Sequence, residues 1–320
     1  MGQVTVGVKS PARFIVVGID GTGSRSWMKP DGSNSHVYRF VQDFQSGTLN
    51  IDRKYFHGPS DNLMGRETEP ILQEALDFIK NRLYQLFSPA GLQNILPLTM
   101  FDVNICQQGS YYASKQNDFG SYGAQHIQIP VKISASMLQH QALSTEDVKI
   151  VLLGHSRGGL AATVLAKMLA PVVRVYFLGL YDSASRQPCL DGTTIENVQH
   201  VYHALRDPEV GSRPSFGNTS TQYSQPVEYY QQKFRTSHGG VGGDYVSDPK
   251  QASFGSDTAC LIRPDAKKVP NHYGGTVEVD NRAFLTRKLN RPIQEICDEG
   301  SKKADLYIRD GARKLGLPVK

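Results

Sequence analysis

The sequence predicts an α/β fold, a mostly parallel sheet with helices on both faces and loop-rich insertions, and three observations carry that prediction. Short apolar runs at 13–19, 148–153 and 172–181 contain β-branched residues and end in turn formers, as strands buried on both faces do. Runs with helical spacing lie between strand signals, and parallel neighbours need such crossovers. One junction, Gly154-His155-Ser156-Arg157-Gly158, compresses the passage from strand to helix into a glycine-flanked turn.

Arg13-Phe-Ile-Val-Val-Gly-Ile19 is the first strand, and it runs into the loop formers Asp20-Gly21-Thr22-Gly23-Ser24. The polar stretch that follows, to about residue 66, shows periodicity only around Val37 to Phe44. From Glu69 to Leu86, Ile71, Leu72, Ala75, Leu76, Ile79, Leu83 and Leu86 recur at helical spacing, which implies a helix with one face on a sheet. Leu98 to Ile105 reads as a second strand. Gln107 to Gln128, rich in Gly, Ser, Tyr and Gln, reads as an excursion from the core that forms part of a substrate-facing cap.

Val148 to Leu153 is the next strand and Leu160 to Ala170 the helix after it. Val172 to Tyr181 and Val198 to Leu205 repeat the strand signal, and each delivers an aspartate, Asp182 and Asp207. Tyr229 to Thr236 is a last strand and leads into Ser237-His238-Gly239-Gly240. Lys302 to Leu315 has a helical pattern, stopped by Gly316 and Pro318. With no internal repeat, residues 1–320 read as one domain, with cap or insertion segments at 107–128, 212–231 and 246–280.

The net charge of +5 is small for this length and the basic residues are scattered, so nucleic acid is not expected as a partner. No apolar stretch reaches the roughly 18 residues of a spanning helix, so contact with lipid is expected to be peripheral. The cysteines at 106, 189, 260 and 297 lack the close spacings of zinc sites or redox dithiols and read as free thiols or disulfides. No metal or other cofactor is expected. Met1-Gly-Gln-Val-Thr5 carries no basic segment followed by an apolar run, so synthesis is expected to end in the cytoplasm without a signal peptide.

The chemistry concentrates at Ser156. A Gly-x-Ser-x-Gly string arises easily by chance in a chain with 30 glycines, but here it stands between a buried strand and a small-residue helix. That is the setting of a nucleophile elbow, which lifts a serine clear of the sheet. A serine hydroxyl needs a histidine to take its proton and a carboxylate to hold the imidazole tautomer. His238, after the last strand and among glycines, is placed to be that base on a loop flexible enough to swing over the serine. Asp182 and Asp207 both remain open as the acid, since each follows a strand beyond the serine. The oxyanion hole is expected to use the N–H of Arg157 and one from the loop Asp20-Gly21-Thr22-Gly23.

Four strings together, Gly18-Ile-Asp-Gly-Thr-Gly23, Gly154-His-Ser-Arg-Gly-Gly159, Leu178-Gly-Leu-Tyr-Asp-Ser-Ala-Ser185 and Ser237-His-Gly-Gly-Val-Gly-Gly-Asp-Tyr245, resemble the motifs DGTGN, GFSRGA, GVWDTVGS and HSDVGGGY of an α/β-hydrolase family. A fifth, His203-Ala-Leu-Arg-Asp-Pro-Glu209, is similar to that family's HALALDERR segment. The order is the same throughout, from about residue 13 to 245. The family includes the type VI secretion lipase effectors, which are antibacterial phospholipases. The resemblance therefore implies the α/β-hydrolase fold and esterase or phospholipase chemistry, with Ser156, Asp182 and His238 as nucleophile, acid and base. It also implies export by a type VI secretion system and an immunity or carrier protein as partner. This chain departs from the pattern at His155, where the family has Phe, at Ser183, and at Gly239-Gly240.

The chain is thus expected to be a serine esterase acting on a lipid. The alternatives are a carboxylesterase or thioesterase with a soluble substrate, or a binding module that keeps a hydrolase scaffold without its activity.

Overall fold

A computed structural model describes residues 13–22, 35–45, 51–59, 68–87, 95–105, 125–134, 148–170, 173–184, 196–207, 226–243, 268–270, 276–278 and 293–320. The elements in chain order are β1 (Arg13–Ile19), α1 (His36–Asp43), β2 (Ile51–Phe56), α2 (Thr68–Phe87), β3 (Ile95–Ile105), β4 (Gln125–Ser134), β5 (Val148–His155), α3 (Arg157–Met168), β6 (Val175–Tyr181), β7 (Val198–Arg206), β8 (Glu228–Phe234), α4 (His238–Val241), β9 (Lys268–Pro270), β10 (Thr276–Glu278) and α5 (Ile293–Lys314).

Six strands form one sheet in the order β2-β1-β5-β6-β7-β8, with every neighbouring pair parallel. The expected α/β class is what the chain adopts, consistent with the α/β-hydrolase fold. Alternate side chains divide between two cores, because successive residues of a strand face opposite sides. Ile15, Val17 and Ile19 of β1 and Ile150 and Leu152 of β5 pack with Leu72, Leu76 and Ile79 of α2 and Leu160 and Leu165 of α3. Phe14 and Val16 of β1 and Val151 and Leu153 of β5 pack with Val37, Phe40 and Val41 of α1 and Ala304, Ile308 and Ala312 of α5.

Helix α3 is buried all round apart from Arg157 and Lys167, which explains a sequence without a polar face. Both α2 and α5 are longer than their periodic patterns, since α2 begins at Thr68 and α5 extends back to Ile293. Two strand readings change. The run read as a second strand is β3, and it pairs antiparallel with β4 in a separate ribbon rather than joining the parallel sheet. On its outer side β1 pairs with β2, Ile-Asp-Arg-Lys-Tyr-Phe, an edge strand whose polar residues hide it from a search for apolar runs.

Of the segments read as insertions, residues 107–124, 212–225, 246–267, 271–275 and 279–280 lie outside the described residues. Residues 125–128 belong to β4, 228–231 to β8, and β9 pairs antiparallel with β10. Cys297 is disulfide-bonded; the other three cysteines lie outside the described residues.

The topology itself indicates where chemistry belongs. From β1 the chain passes to β2 on one side, whereas from β5 it proceeds to β6, β7 and β8 on the other. The crevice between such diverging crossovers, at the carboxyl ends of the strands, is where open parallel sheets bind ligands. Asp20 and Gly21 follow β1 there, and Ser156 follows β5.

Candidate active site

Ser156 sits at φ 54 and ψ −123, immediately before α3. The turn is possible because Gly154 and Gly158 have no side chains. A Cβ on Gly154 would lie 2.4 Å from the Gly158 carbonyl oxygen, and one on Gly158 would lie 2.2 Å from that of Ile19. The serine N–H donates to the Tyr181 carbonyl at 3.2 Å, and its own carbonyl accepts from Gly159 and Leu160 in the first turn of α3. Its side chain therefore projects from a fixed backbone.

His238 meets the serine from the end of the sheet order. Its Nε2 is 2.7 Å from Ser156 Oγ, and its Nδ1 is 2.6 Å from Asp182 Oδ2. All three residues are buried, with Asp182 at 0 % exposure. The carboxylate also accepts from Arg206, at 2.5 Å from Nη1 to Oδ2 and 3.2 Å from the main-chain N–H to Oδ1. Asp182 is itself at φ 44, and its N–H donates to the Ala204 carbonyl at 2.7 Å. The structure therefore brings Asp182, rather than Asp207, to the imidazole. The main-chain N–H of Asp207 bonds to the Phe234 carbonyl.

The glycines around His238 do something other than the expected loosening. Residues 238–241 form the single helical turn α4, capped by Ser237 Oγ, which accepts from the Gly240 N–H at 3.1 Å. Gly240, Gly242 and Gly243 are sites of close approach: a Cβ there would stand 2.0 Å from Thr236 Oγ1, 2.3 Å from His155 Cε1 and 2.8 Å from His36 Cγ respectively. The imidazole is held by tight packing, not carried on a swinging loop.

Burial and charge set the protonation states. Burial pushes His238 down to about 4 against the pull of Asp182, so the imidazole is neutral at neutral pH. Its Nδ1 proton then faces the carboxylate and its Nε2 lone pair faces the serine hydroxyl. Burial alone would raise the Asp182 carboxyl, but the Arg206 guanidinium and the His238 hydrogen bond outweigh it and keep Asp182 ionised. A row with this order of donors and acceptors can draw a proton from the hydroxyl and stabilise the imidazolium that results.

Around the expected oxyanion donors, Gly21 lies against the serine, since a Cβ on it would be 3.1 Å from Ser156 Cβ. Its own N–H bonds to Asp20 Oδ1 at 2.9 Å. Arg157 is the first residue of α3 and follows the serine directly.

Three supporting contacts went unread in the sequence. Arg206 is the countercharge that a fully buried carboxylate demands, and a basic residue ending the neighbouring strand was the available signal. His203, at 0 % exposure, accepts the Ser183 N–H on Nε2 at 3.1 Å and so steadies the loop after Asp182. Asp20 accepts from the hydroxyls of Ser35 and Tyr55, which ties α1 and β2 to the end of β1. Among the described residues, no group of three His, Cys, Asp or Glu is placed to hold a metal ion, and no helix is long and apolar enough to cross a membrane.

The sequence matches no protein family model and no curated protein. Solved structures do resemble the fold. One is an uncharacterized protein from Pseudomonas aeruginosa, 15% identical, with a TM-score of 0.42 over 73% of this chain and 42% of that one. Another is the Tle1 effector bound to the VgrG spike of the Type 6 secretion system, 13% identical, with a TM-score of 0.37 over 75% of this chain and 52% of that one. The aligned region spans about half the length of these structures. At these values neither likeness assigns a role to any residue of this chain.

Proposed function

We propose that the chain is a serine hydrolase that cleaves carboxylic esters through an acyl-enzyme. The observation that carries this reading is the row Ser156 Oγ, His238 Nε2, His238 Nδ1 and Asp182 Oδ2, spaced at 2.7 and 2.6 Å at the carboxyl ends of β5, β8 and β6. Ser156 Oγ attacks the ester carbonyl as its proton passes to His238 Nε2, and Asp182 stabilises the imidazolium. The tetrahedral intermediate expels the alcohol, which takes that proton. Water then attacks the acyl-serine, with His238 again receiving and returning a proton.

The oxyanion is assigned to the Arg157 N–H and the Gly21-Thr22 loop, which approaches the serine closely. The motif resemblance favours a lipid ester, and a phospholipid first. Within this reading residues 1–320 form one hydrolase domain, lipid is met at a membrane surface, and a secretion carrier or immunity protein is a partner to seek.

The test compares wild type with Ser156→Ala on short p-nitrophenyl esters and on phospholipid vesicles, with products identified by mass spectrometry and Ser156 reactivity read by a fluorophosphonate probe. Wild type is expected to label and to hydrolyse, and the variant to do neither. Hydrolysis that survives Ser156→Ala, or a wild type that neither labels nor hydrolyses, overturns the proposal. Vesicle hydrolysis well above that of monomeric esters supports the lipid assignment, and the reverse a soluble ester.

A further inference from the structure

The residue before the serine is a second histidine, and the hydrolase reading leaves it without a task. His155 is 4 % exposed and its ring centroid lies 4.9 Å from that of His238. Its Nε2 is 3.1 Å from the His238 main-chain oxygen. A carbonyl can only accept, so Nε2 carries a proton. Its Nδ1 is buried, has no hydrogen-bond partner among the described residues, and stands 3.8 Å from Asp20 Oδ1. That is an ion-pair distance, too long for a hydrogen bond. Two glycines make room for this ring, since a Cβ on Gly21 would come within 2.6 Å of Nδ1 and one on Gly242 within 2.3 Å of Cε1.

We propose that His155, charged and paired with Asp20, is a positioning residue that fixes the backbone of the base His238 and sets the ease with which that base is protonated. The inference rests on the hydrolase reading of Ser156 and His238. One imidazole joins three loops: its own, which carries the serine, α4 through the His238 carbonyl, and the β1 loop through Asp20 and Gly21. A rigid link of this kind matters because misplacing a reacting group by about 1 Å costs roughly 100-fold in rate.

The surroundings favour the charged form. Burial opposes a charged His155, but the facing Asp20 carboxylate outweighs it and the imidazole is raised above its ordinary value. Asp20 in turn is held below its ordinary value: burial pushes it up, while His155, Ser35 and Tyr55 together bring it down. The other ionisable groups that feel His155 are His238 on α4, Asp182 after β6 and His36 on α1. A positive His155 beside His238 disfavours a second positive charge there, so the base stays neutral to lower pH. Arg206 acts in the same direction and Asp182 against it.

The decisive variants are His155→Phe, which keeps a ring and removes charge and donor, and Asp20→Asn, which keeps the acceptor for the Gly21 N–H and removes the countercharge. His155→Phe is expected to lower kcat on a soluble p-nitrophenyl ester by about 10- to 100-fold with little change in KM. Both variants are expected to move the acid limb of kcat/KM up by about one pH unit, because His238 loses a positive neighbour. Nitrogen-15 spectra of the wild-type imidazoles are expected to show His155 protonated on both nitrogens at pH 7, and Asp20→Asn to abolish that state.

An unmoved acid limb in both variants, or a neutral His155 in wild type at pH 7, overturns the proposal. If wild type neither labels nor hydrolyses, the hydrolase reading falls separately, and the imidazole spectra then decide whether His155 is charged. If His155→Phe folds poorly, Asp20→Asn and the wild-type spectra still distinguish a charged His155 from a neutral one.

Discussion

The main-chain N–H of Ala184 donates to the carbonyl of Ser156 at 3.1 Å, so the loop that carries Asp182 is fastened to the peptide of the serine itself. The serine N–H returns the connection by bonding to the Tyr181 carbonyl. Ser156 and Asp182 are also the two non-glycine residues with positive φ among those described, at 54 and 44. Such conformations cost about 1–3 kcal/mol each and persist only where neighbours over-determine them. Here each strained residue is clamped by the loop of the other, and both aim a functional side chain at one imidazole.

The glycines that permit the turn are therefore expected to tolerate nothing larger. Gly158→Ala would drive its Cβ into the Ile19 and Asp20 carbonyl oxygens, backbone atoms that cannot rotate aside. A loss of about 2–3 kcal/mol in urea unfolding is expected, together with the loss of the ester hydrolysis proposed for Ser156. Gly316 is the control. It has φ +74 but no described residue near its Cβ position, so Gly316→Ala is expected to cost only about 1 kcal/mol and to leave activity intact. Equal stability of Gly158→Ala and wild type would contradict the close contact.

Asp182→Asn keeps the shape of the acid but offers the imidazole a donor as well as an acceptor, and so no longer fixes its tautomer. A fall in kcat of roughly 10⁴-fold is expected, with KM little changed. Asp207→Asn is expected to keep kcat near wild type, since Asp182 already bonds to His238 Nδ1. Steady-state kinetics on a monomeric ester distinguish the two, and the larger loss in Asp207→Asn would reverse the assignment.

Stability is expected to fall steeply in mild acid. Burial lowers His36, His203 and His238 from 6.5 to about 4, so between those values the unfolded chain binds protons that the folded chain refuses. The stabilisation is fully present above pH 6.5, erodes as pH falls, and is gone below about 4, to an extent on the order of a few kcal/mol per histidine. His203→Gln isolates one contribution, because its amide oxygen can still accept the Ser183 N–H while the side chain no longer titrates. Its urea midpoint is expected to drop less than that of wild type between pH 7 and 4.5, and parallel curves would rule His203 out as a source.

Much of this was legible in the sequence because the strands that carry the site are buried on both faces and declare themselves as apolar runs. β1 and β6 end where those runs predict, β7 and β5 run on to Arg206 and His155, and each delivers its polar residue to the same edge. What sequence order could not choose was the acid. Asp182 and Asp207 follow adjacent strands, and the choice depends on Arg206 bonding to Asp182 and on the turn at φ 44. β2 escaped for a different reason. As an edge strand with exposed Arg53 and half-buried Asp52 and Lys54, it is specified by its pairing with β1, which leaves no periodic trace. The glycines near His238 invite a reading of mobility, yet Gly240, Gly242 and Gly243 mark close approaches, and a sequence does not distinguish the two uses.

Helix α5 supplies the last prediction, through a buried polar cluster behind the site. Asp305 accepts from Tyr181 Oη at 3.0 Å and from Arg309 Nε at 3.0 Å, and its Oδ2 stands 3.6 Å from His36 Nδ1. Burial alone would raise this carboxyl, but His36 and Arg309 outweigh it and keep it ionised. Asp305→Ala leaves the Tyr181 hydroxyl without that acceptor and the Arg309 guanidinium with Asp43 at 2.9 Å and the Lys320 carbonyl at 2.8 Å. A destabilisation of about 2–4 kcal/mol is expected, since removing one partner of a buried network exposes the desolvation cost of the rest. Tyr181 precedes Asp182 and its main-chain carbonyl accepts the serine N–H, but its hydroxyl, the group that Asp305 binds, touches neither, and the Asp182 N–H and carboxylate are held by Ala204, Arg206 and His238. Below the unfolding transition kcat is therefore expected to stay within about threefold of wild type. A loss of activity as large as that of Asp182→Asn, in protein shown to be folded by circular dichroism, would mean that α5 sets the position of the acid as well as closing the core.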